Sequence, residues 1–160
     1  MQARERAVDE ASRRPEAPRV WRPRAVRMVA YGLGLLIVAT MVVLAALLPG
    51  DWRFMDRVLL VGLGAAIAAV LHLLARPRLV AGPDGVTVVN GIRTHVLSWA
   101  EIVDVRMPEG EPWPSVDLSD GTTLAVMGIQ SADGDRARAA LEEFRELVRR
   151  HGEAPEPDRG

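Results

Sequence analysis

The chain has 160 residues, with 20 Arg, 21 Asp and Glu, no Lys, no Cys and 49% hydrophobic side chains. One or two small domains is the ceiling at this length, and without cysteine a disulfide scaffold, a thiolate nucleophile and any Cys-ligated zinc or iron–sulfur centre are excluded. A net charge of −1 removes the simplest argument for a nucleic-acid binder, although residues 1–78 hold 12 Arg and 6 acids while 79–160 hold 8 Arg and 15 acids. A basic complement made wholly of Arg reads as composition bias, so Arg counts alone support little.

Residues 1–27 mix eight Arg, four acids and three Pro without an apolar stripe and predict a disordered cytoplasmic segment. Residues 28–48 then run 21 positions without a charge, about 31 Å as a helix, which predicts a first membrane span. Pro49-Gly50-Asp51 opens an external connector over 49–57, and 58–75 predict a second span of 18 uncharged residues. A cleaved signal peptide has a shorter apolar region, and two buried helices of a soluble core would need far more surrounding chain. Arg24 and Arg27 before the first span, and Arg76 and Arg78 after the second, predict that both termini are cytoplasmic in a multi-pass plasma-membrane protein. Trp52 in the connector, and Trp21 and Tyr31 at the other edge, suit the interfacial level, and Arg24, Arg27, Trp52, Arg76 and Arg78 are the expected membrane-interface anchors. Small residues (Ala30 and Gly34; Gly62, Gly64 and Ala68) allow the spans to pack on each other or on a second copy, so a homo-oligomer is open. His72 is the one ionisable group within the spans; near Arg76 it can reach headgroups, and no second titratable group is there to relay a proton.

After Arg76-Pro77-Arg78 the pattern changes to short strands and strong turns. Leu79–Ala81 meets Gly82-Pro83-Asp84-Gly85; Val86–Val89 meets Asn90-Gly91; and 92–98 returns with Ile92, Thr94 and Val96 on one face and His95 on the other. Residues 102–107 alternate Val103, Val105 and Met107 with Asp104 and Arg106; 115–118 form another strand; and 122–127 follow the Ser119-Asp120-Gly121 turn with Leu124 and Val126 inward. Asp133 or Asp135 caps a helix whose Ala137, Leu141, Phe144, Leu147 and Val148 recur at helical spacing up to Gly152. The fold class expected is a transmembrane helical hairpin followed by an α+β domain, with a short tail over 151–160 predicted to be disordered.

Three stretches bear a resemblance to the pleckstrin-homology-like (PH-like) domain of small membrane-anchored bacterial proteins: Pro77-Arg78-Leu79-Val80 with Asp84-Gly85-Val86, Trp99-Ala100-Glu101-Ile102, and Val116-Asp117-Leu118-Ser119-Asp120-Gly121 before Thr123-Leu124. It covers about 77–150, and implies an antiparallel sheet or partly open barrel of six or seven strands closed by one C-terminal helix. Six strands are placed; Gly128–Ser131 is the one candidate for a seventh. The resemblance implies a binding or scaffolding module, not a catalyst. Phosphoinositide-binding members of the superfamily use basic residues in the loop joining the first two strands. Read here as Gly82-Pro83-Asp84-Gly85, that loop holds an acid and no base, and 79–160 carry a net −7, so the domain is expected to repel anionic headgroups.

No Gly-x-Ser-x-Gly context or His-Glu-x-x-His spacing is present, and the Gly-x-Gly pairs lie inside apolar spans, so no enzyme, metal site or cofactor is expected. The least explained stretch is Pro108–Pro114, where Pro112 and Pro114 flank Trp113 and stiffen a loop that can present a rigid aromatic to a partner. The reading is a non-enzymatic adaptor or scaffold, integral to the lipid bilayer and binding a protein partner, with no nucleic acid. The alternative is a membrane or stress sensor whose hairpin reads the bilayer.

Overall fold

The computed structural model describes residues 17–152. The disordered segments expected at the ends lie outside the described residues over 1–16 and 153–160. In chain order the elements are β1 (Arg19–Trp21), α1 (Arg24–Leu47), α2 (Phe54–Ala75), β2 (Arg78–Gly82), β3 (Gly85–Asn90), β4 (Arg93–Leu97), β5 (Ile102–Arg106), β6 (Ser115–Leu118), β7 (Thr123–Ala125) and α3 (Asp135–Gly152). Single 3-10 turns at Trp99–Glu101 and Ser131–Asp133 precede β5 and α3.

Helices α1 and α2 are each long and apolar enough to cross a membrane. They extend beyond the uncharged runs, so Arg24 and Arg27 open α1 while Asp56 and Arg57 belong to α2. Both charged groups near the connector serve helix ends: the Arg53 amide donates to Asp56 at 3.0 Å, and the Arg57 guanidinium donates to the Leu48 and Pro49 carbonyls. The two helices pack on each other through their small residues. Gly34 lies against Ala68 and Leu71, and a Cβ at Gly64 would come within 2.9 Å of the Met41 side chain.

Among the described residues seven strands form two antiparallel sheets, β1-β2-β3-β4 and β5-β6-β7, without closing a barrel. The seventh strand is not Gly128–Ser131 but β1, which precedes the hairpin and pairs with β2 (Arg19 with Ala81, Val20 with Val80, Trp21 with Leu79). One expectation is corrected by this pairing. Residues 19–27 are ordered rather than part of a disordered segment, because the sheet offers β2 as a template and Trp21 has a core to enter. The helical hairpin, flanked by Arg22, Arg24, Arg76 and Arg78, thus connects β1 to β2, while the acidic Gly82–Gly85 turn joins β2 to β3 as expected.

The core lies between the sheets and α3. Leu79, Ala81, Val86, Val88 and Leu97 face in from the first sheet, Ile102, Val105 and Val116 from the second, and Ala137, Leu141 and Phe144 from the helix. Buried Trp99 anchors the crossing between sheets, its indole N–H donating to the Gly82 and Pro83 carbonyls at 3.1 and 3.2 Å. Asn90 clips the sheets together, donating to the Ala125 carbonyl at 2.6 Å and accepting from the Met127 amide at 3.1 Å. The alternation expected over β4 is present: Val88 pairs with His95 and Val86 with Leu97, so His95 and Leu97 turn toward the core while Thr94 and Val96 point outward. Over β5 the facing differs from the expected alternation. A register shift between Ile102 and Asp104 turns both Ile102 and Val105 inward and leaves Val103 exposed. Gly128 occupies the intended seventh strand as a buried crossing, where a Cβ would lie 2.3 Å from the Leu79 amide nitrogen.

Candidate functional site

The joint between the hairpin and the domain is built from three separated pieces of sequence. Trp21 enters the core edge, meeting Phe144 edge-on with ring centroids 6.0 Å apart, and its indole N–H donates to Glu143 at 3.1 Å. Arg19 pairs with the same Glu143, so one acid of α3 holds both ends of β1. Pro23 is buried and stops the strand; its missing N–H and fixed φ suit the residue before a helix. The first turn of α1 then needs acceptors for its free amides, and Asp133 supplies them across 109 and 108 residues of chain: Arg24 N–H to Oδ2 at 2.9 Å and Ala25 N–H to Oδ1 at 2.8 Å. Asp133 therefore caps α1, whereas its spacing pointed to α3; α3 starts at Asp135, which pairs with Arg138. Neither Trp21 nor Asp133 was legible as a partner of the hairpin, because each signal is one residue and the contact is non-local.

The expected interface anchors fall at both ends of the hairpin. Arg24 and Arg27 lie in the first turn of α1, with the Arg27 guanidinium 6.0 Å from the centre of the Tyr31 ring, and the Tyr31 hydroxyl meets His72 Nδ1 at 3.2 Å across the hairpin. Arg76 is the exposed residue after α2, Arg78 opens β2, and Trp52 stands half exposed in the connector at the far end. Trp113 is half-buried rather than protruding, Pro114 is fully buried and Pro112 exposed. The loop that holds them is fixed at its base, the Val126 amide donating to the Pro114 carbonyl at 2.8 Å and the Ser131 amide to that of Pro112 at 2.9 Å. The second of these bonds ties the loop to the Ser131–Asp133 turn, whose Asp133 caps α1.

Sequence periodicity did not single out the outer face of the first sheet. Its cross-strand register aligns Val20, Val80, Thr87 and Val96 in one row, ending on β4, whose other edge has no strand partner among the described residues. Val96 and neighbouring Ile92 are both 76% exposed. Carboxylates around the domain are held ionised by local donors: the Ser98 amide and hydroxyl, both bonded to Glu101, keep its pKa below the usual value, and Thr122 does the same for Asp120. Among the described residues no three His, Asp or Glu side chains gather as metal ligands.

Comparison with known proteins adds the family. The bacterial PH domain family model matches residues 76–147. Uncharacterised proteins of Mycobacterium tuberculosis and Mycobacterium bovis are each 34% identical over 144 residues, covering 84% of this chain and 94% of theirs. That coverage exceeds the matched domain and its C-terminal flank, so the similarity continues into the hairpin. No solved structure matches the chain.

Proposed function

This chain belongs to the bacterial PH domain family, and we propose that it is a non-enzymatic adaptor, held at the cytoplasmic face of the plasma membrane by its helical hairpin and binding a protein partner there. The observation that carries the reading is the insertion of two apolar helices between β1 and β2 of a single sheet. The link from α2 to β2 is only Arg76-Pro77, and that from β1 to α1 only Arg22-Pro23, so the domain cannot swing more than about 10 Å from the bilayer surface. A domain so confined meets other membrane proteins at raised effective concentration, and a weak interface suffices. The exposed β4 edge, with Ile92 and Val96, and the Trp113 loop are the two surfaces available to it.

The test is cross-linking in intact cells followed by mild detergent purification of the full chain and mass spectrometry. A partner recovered by the native chain and lost with Val96→Asp or Trp113→Ala supports the adaptor and assigns the surface; recovery of the chain alone opposes it. The sensor alternative gains support from the same insertion, because any tilt of the hairpin pulls on both β1 and β2. It predicts that His72→Leu, which removes the Tyr31 contact, changes the output, whereas an adaptor tolerates that change.

A further inference from the structure

A cleft of about 550 Å³ opens between β1, the first turn of α1 and the start of α3. Four arginines line it, Arg22, Arg24, Arg27 and Arg136, against one acid, Asp133, both of whose carboxylate oxygens are already engaged by the Arg24 and Ala25 amides. Among the described residues none of these four arginines is in an ion pair, whereas Arg19, Arg106, Arg138, Arg145, Arg149 and Arg150 each have an acidic partner. Acids outnumber arginines in the domain, so gathering these four around one cleft leaves a local excess of positive charge there, and of the four only Arg27 has a further polar or cation–π side-chain contact among the described residues, to the Tyr31 ring. The acceptor it fits is a phosphate, which a guanidinium binds through two parallel N–H bonds.

Placement selects among phosphates. Arg24 and Arg27 sit on the first turn of a helix long and apolar enough to cross a membrane, which sets the cleft at the level of lipid headgroups. A volume of this size accommodates a headgroup, and a choline cation there would meet a cleft lined by four arginines. We infer that the cleft binds the phosphate of an anionic phospholipid, with Arg136 of α3 closing on it from the domain side. The inference rests on the membrane reading above, and it adds a lipid clamp that fixes the orientation of the domain. Arg136 separates this from general attraction of juxtamembrane charge, since it lies on α3, far along the chain from the spans, and takes no part in setting topology.

The experiment uses the full chain in phosphatidylcholine nanodiscs with and without phosphatidylglycerol, reading retained lipid by native mass spectrometry and stability by thermal unfolding. The native chain is expected to retain phosphatidylglycerol and to melt higher in its presence. R136Q should retain it about five-fold less, R22Q/R136Q less again, and R136K should fall between, keeping charge without the planar fork. In pure phosphatidylcholine all three should melt with the native chain, because Arg136 and Arg22 are exposed. Equal retention by R136Q and the native chain overturns the clamp in favour of diffuse attraction. Displacement of the lipid by millimolar inorganic phosphate, with stabilisation by phosphate alone, overturns the lipid assignment in favour of a soluble anion. Release of the native chain from membranes by alkaline extraction sinks the membrane reading instead, a result separate from either.

Discussion

Asp133 is the most exacting test of the joint, because a single carboxylate holds the start of α1 to the domain. Its replacement by Ala removes two charge-assisted bonds, 2.9 and 2.8 Å long, to amides that have no intrahelical acceptor. Loss of an N-cap costs about 1 kcal/mol, and loss of a negative charge at a helix N-terminus adds roughly 0.3–1 kcal/mol. A total of about 1.5 kcal/mol corresponds to a fall in Tm of roughly 3–6 °C for a chain of this size. Asp133→Asn should recover only part of the loss, since its single carboxamide oxygen can accept from one of the two amides while its NH2 group faces the other. Asp135→Ala is the control: its side chain is almost fully exposed and pairs only with Arg138, so a change of under about 0.5 kcal/mol is expected. Thermal unfolding of the full chain in one detergent gives the ranking, and hydrogen exchange at the Arg24 and Ala25 amides localises it. If Asp133→Ala melts with the native chain and those amides exchange no faster, the cap does not form and the joint is wrongly described. If Asp135→Ala is the damaging change, the acid caps α3 as its sequence spacing suggested.

Gly128→Ala should break the packing of the post-β7 segment on β2, because the new methyl would fall 2.3 Å from the Leu79 nitrogen and 2.6 Å from the Arg78 carbonyl carbon, neither of which can move aside; limited proteolysis of the domain should accelerate sharply, and unchanged protection would refute the crossing. Phe144→Ala removes the largest fully buried side chain and the ring that Trp21 meets, at about 3–5 kcal/mol, and should loosen β1 along with the core, read as lost dispersion of aromatic resonances in NMR spectra. For pH, the Ser98 amide and hydroxyl hold Glu101 below its ordinary value of 4.5, so the unfolded chain binds the proton first: the stabilisation is complete above pH 4.5 and is lost as pH falls through the lower folded value. Glu101→Gln should accordingly flatten the acid limb of the Tm-against-pH curve, and an unaltered limb would show that this contact contributes nothing.

The sequence announces some of this structure and conceals the rest for reasons that can be stated residue by residue. Continuous apolar runs define α1 and α2 because a bilayer-length helix needs only local composition. The Asn90-Gly91 and Asp84-Gly85 turns mark the meander of β2, β3 and β4 because hairpin chemistry is local too; Gly85 takes φ of +154° and Gly91 +61°, conformations that disfavour other residues. The 3.6-residue recurrence from Ala137 to Phe144 marks α3 in the same way. What is concealed is non-local. Arg19-Val20-Trp21 is too short to show a period and sits among arginines and prolines, and its partner strand lies beyond both helices. Asp133 obeys a rule for helix caps but serves a helix more than a hundred residues away. The register shift at Ile102 leaves Val103 outward because one extra residue reverses facing, which no period-2 reading can anticipate. The site inherits this split: Arg24 and Arg27 are legible as flanking charges, whereas their convergence with Arg136 is a product of the fold.

The pairing of β1 with β2 also bears on topology by a route independent of arginine counting. A strand that precedes the hairpin and a strand that follows it share three residue pairs of one sheet, so the two outer ends of α1 and α2 must emerge on the same side of any bilayer they cross. A single-span or opposite-sided arrangement would separate β1 from β2 by the full hydrocarbon thickness, about 30 Å, and would strip the domain of Trp21, its bond to Glu143 and the Asp133 cap together. Folding and insertion are thereby linked: the sheet completes only after both helices have been placed. A hairpin wedged between two adjacent strands has little freedom to turn independently of them, and any partner or lipid that fixes the domain fixes the hairpin as well.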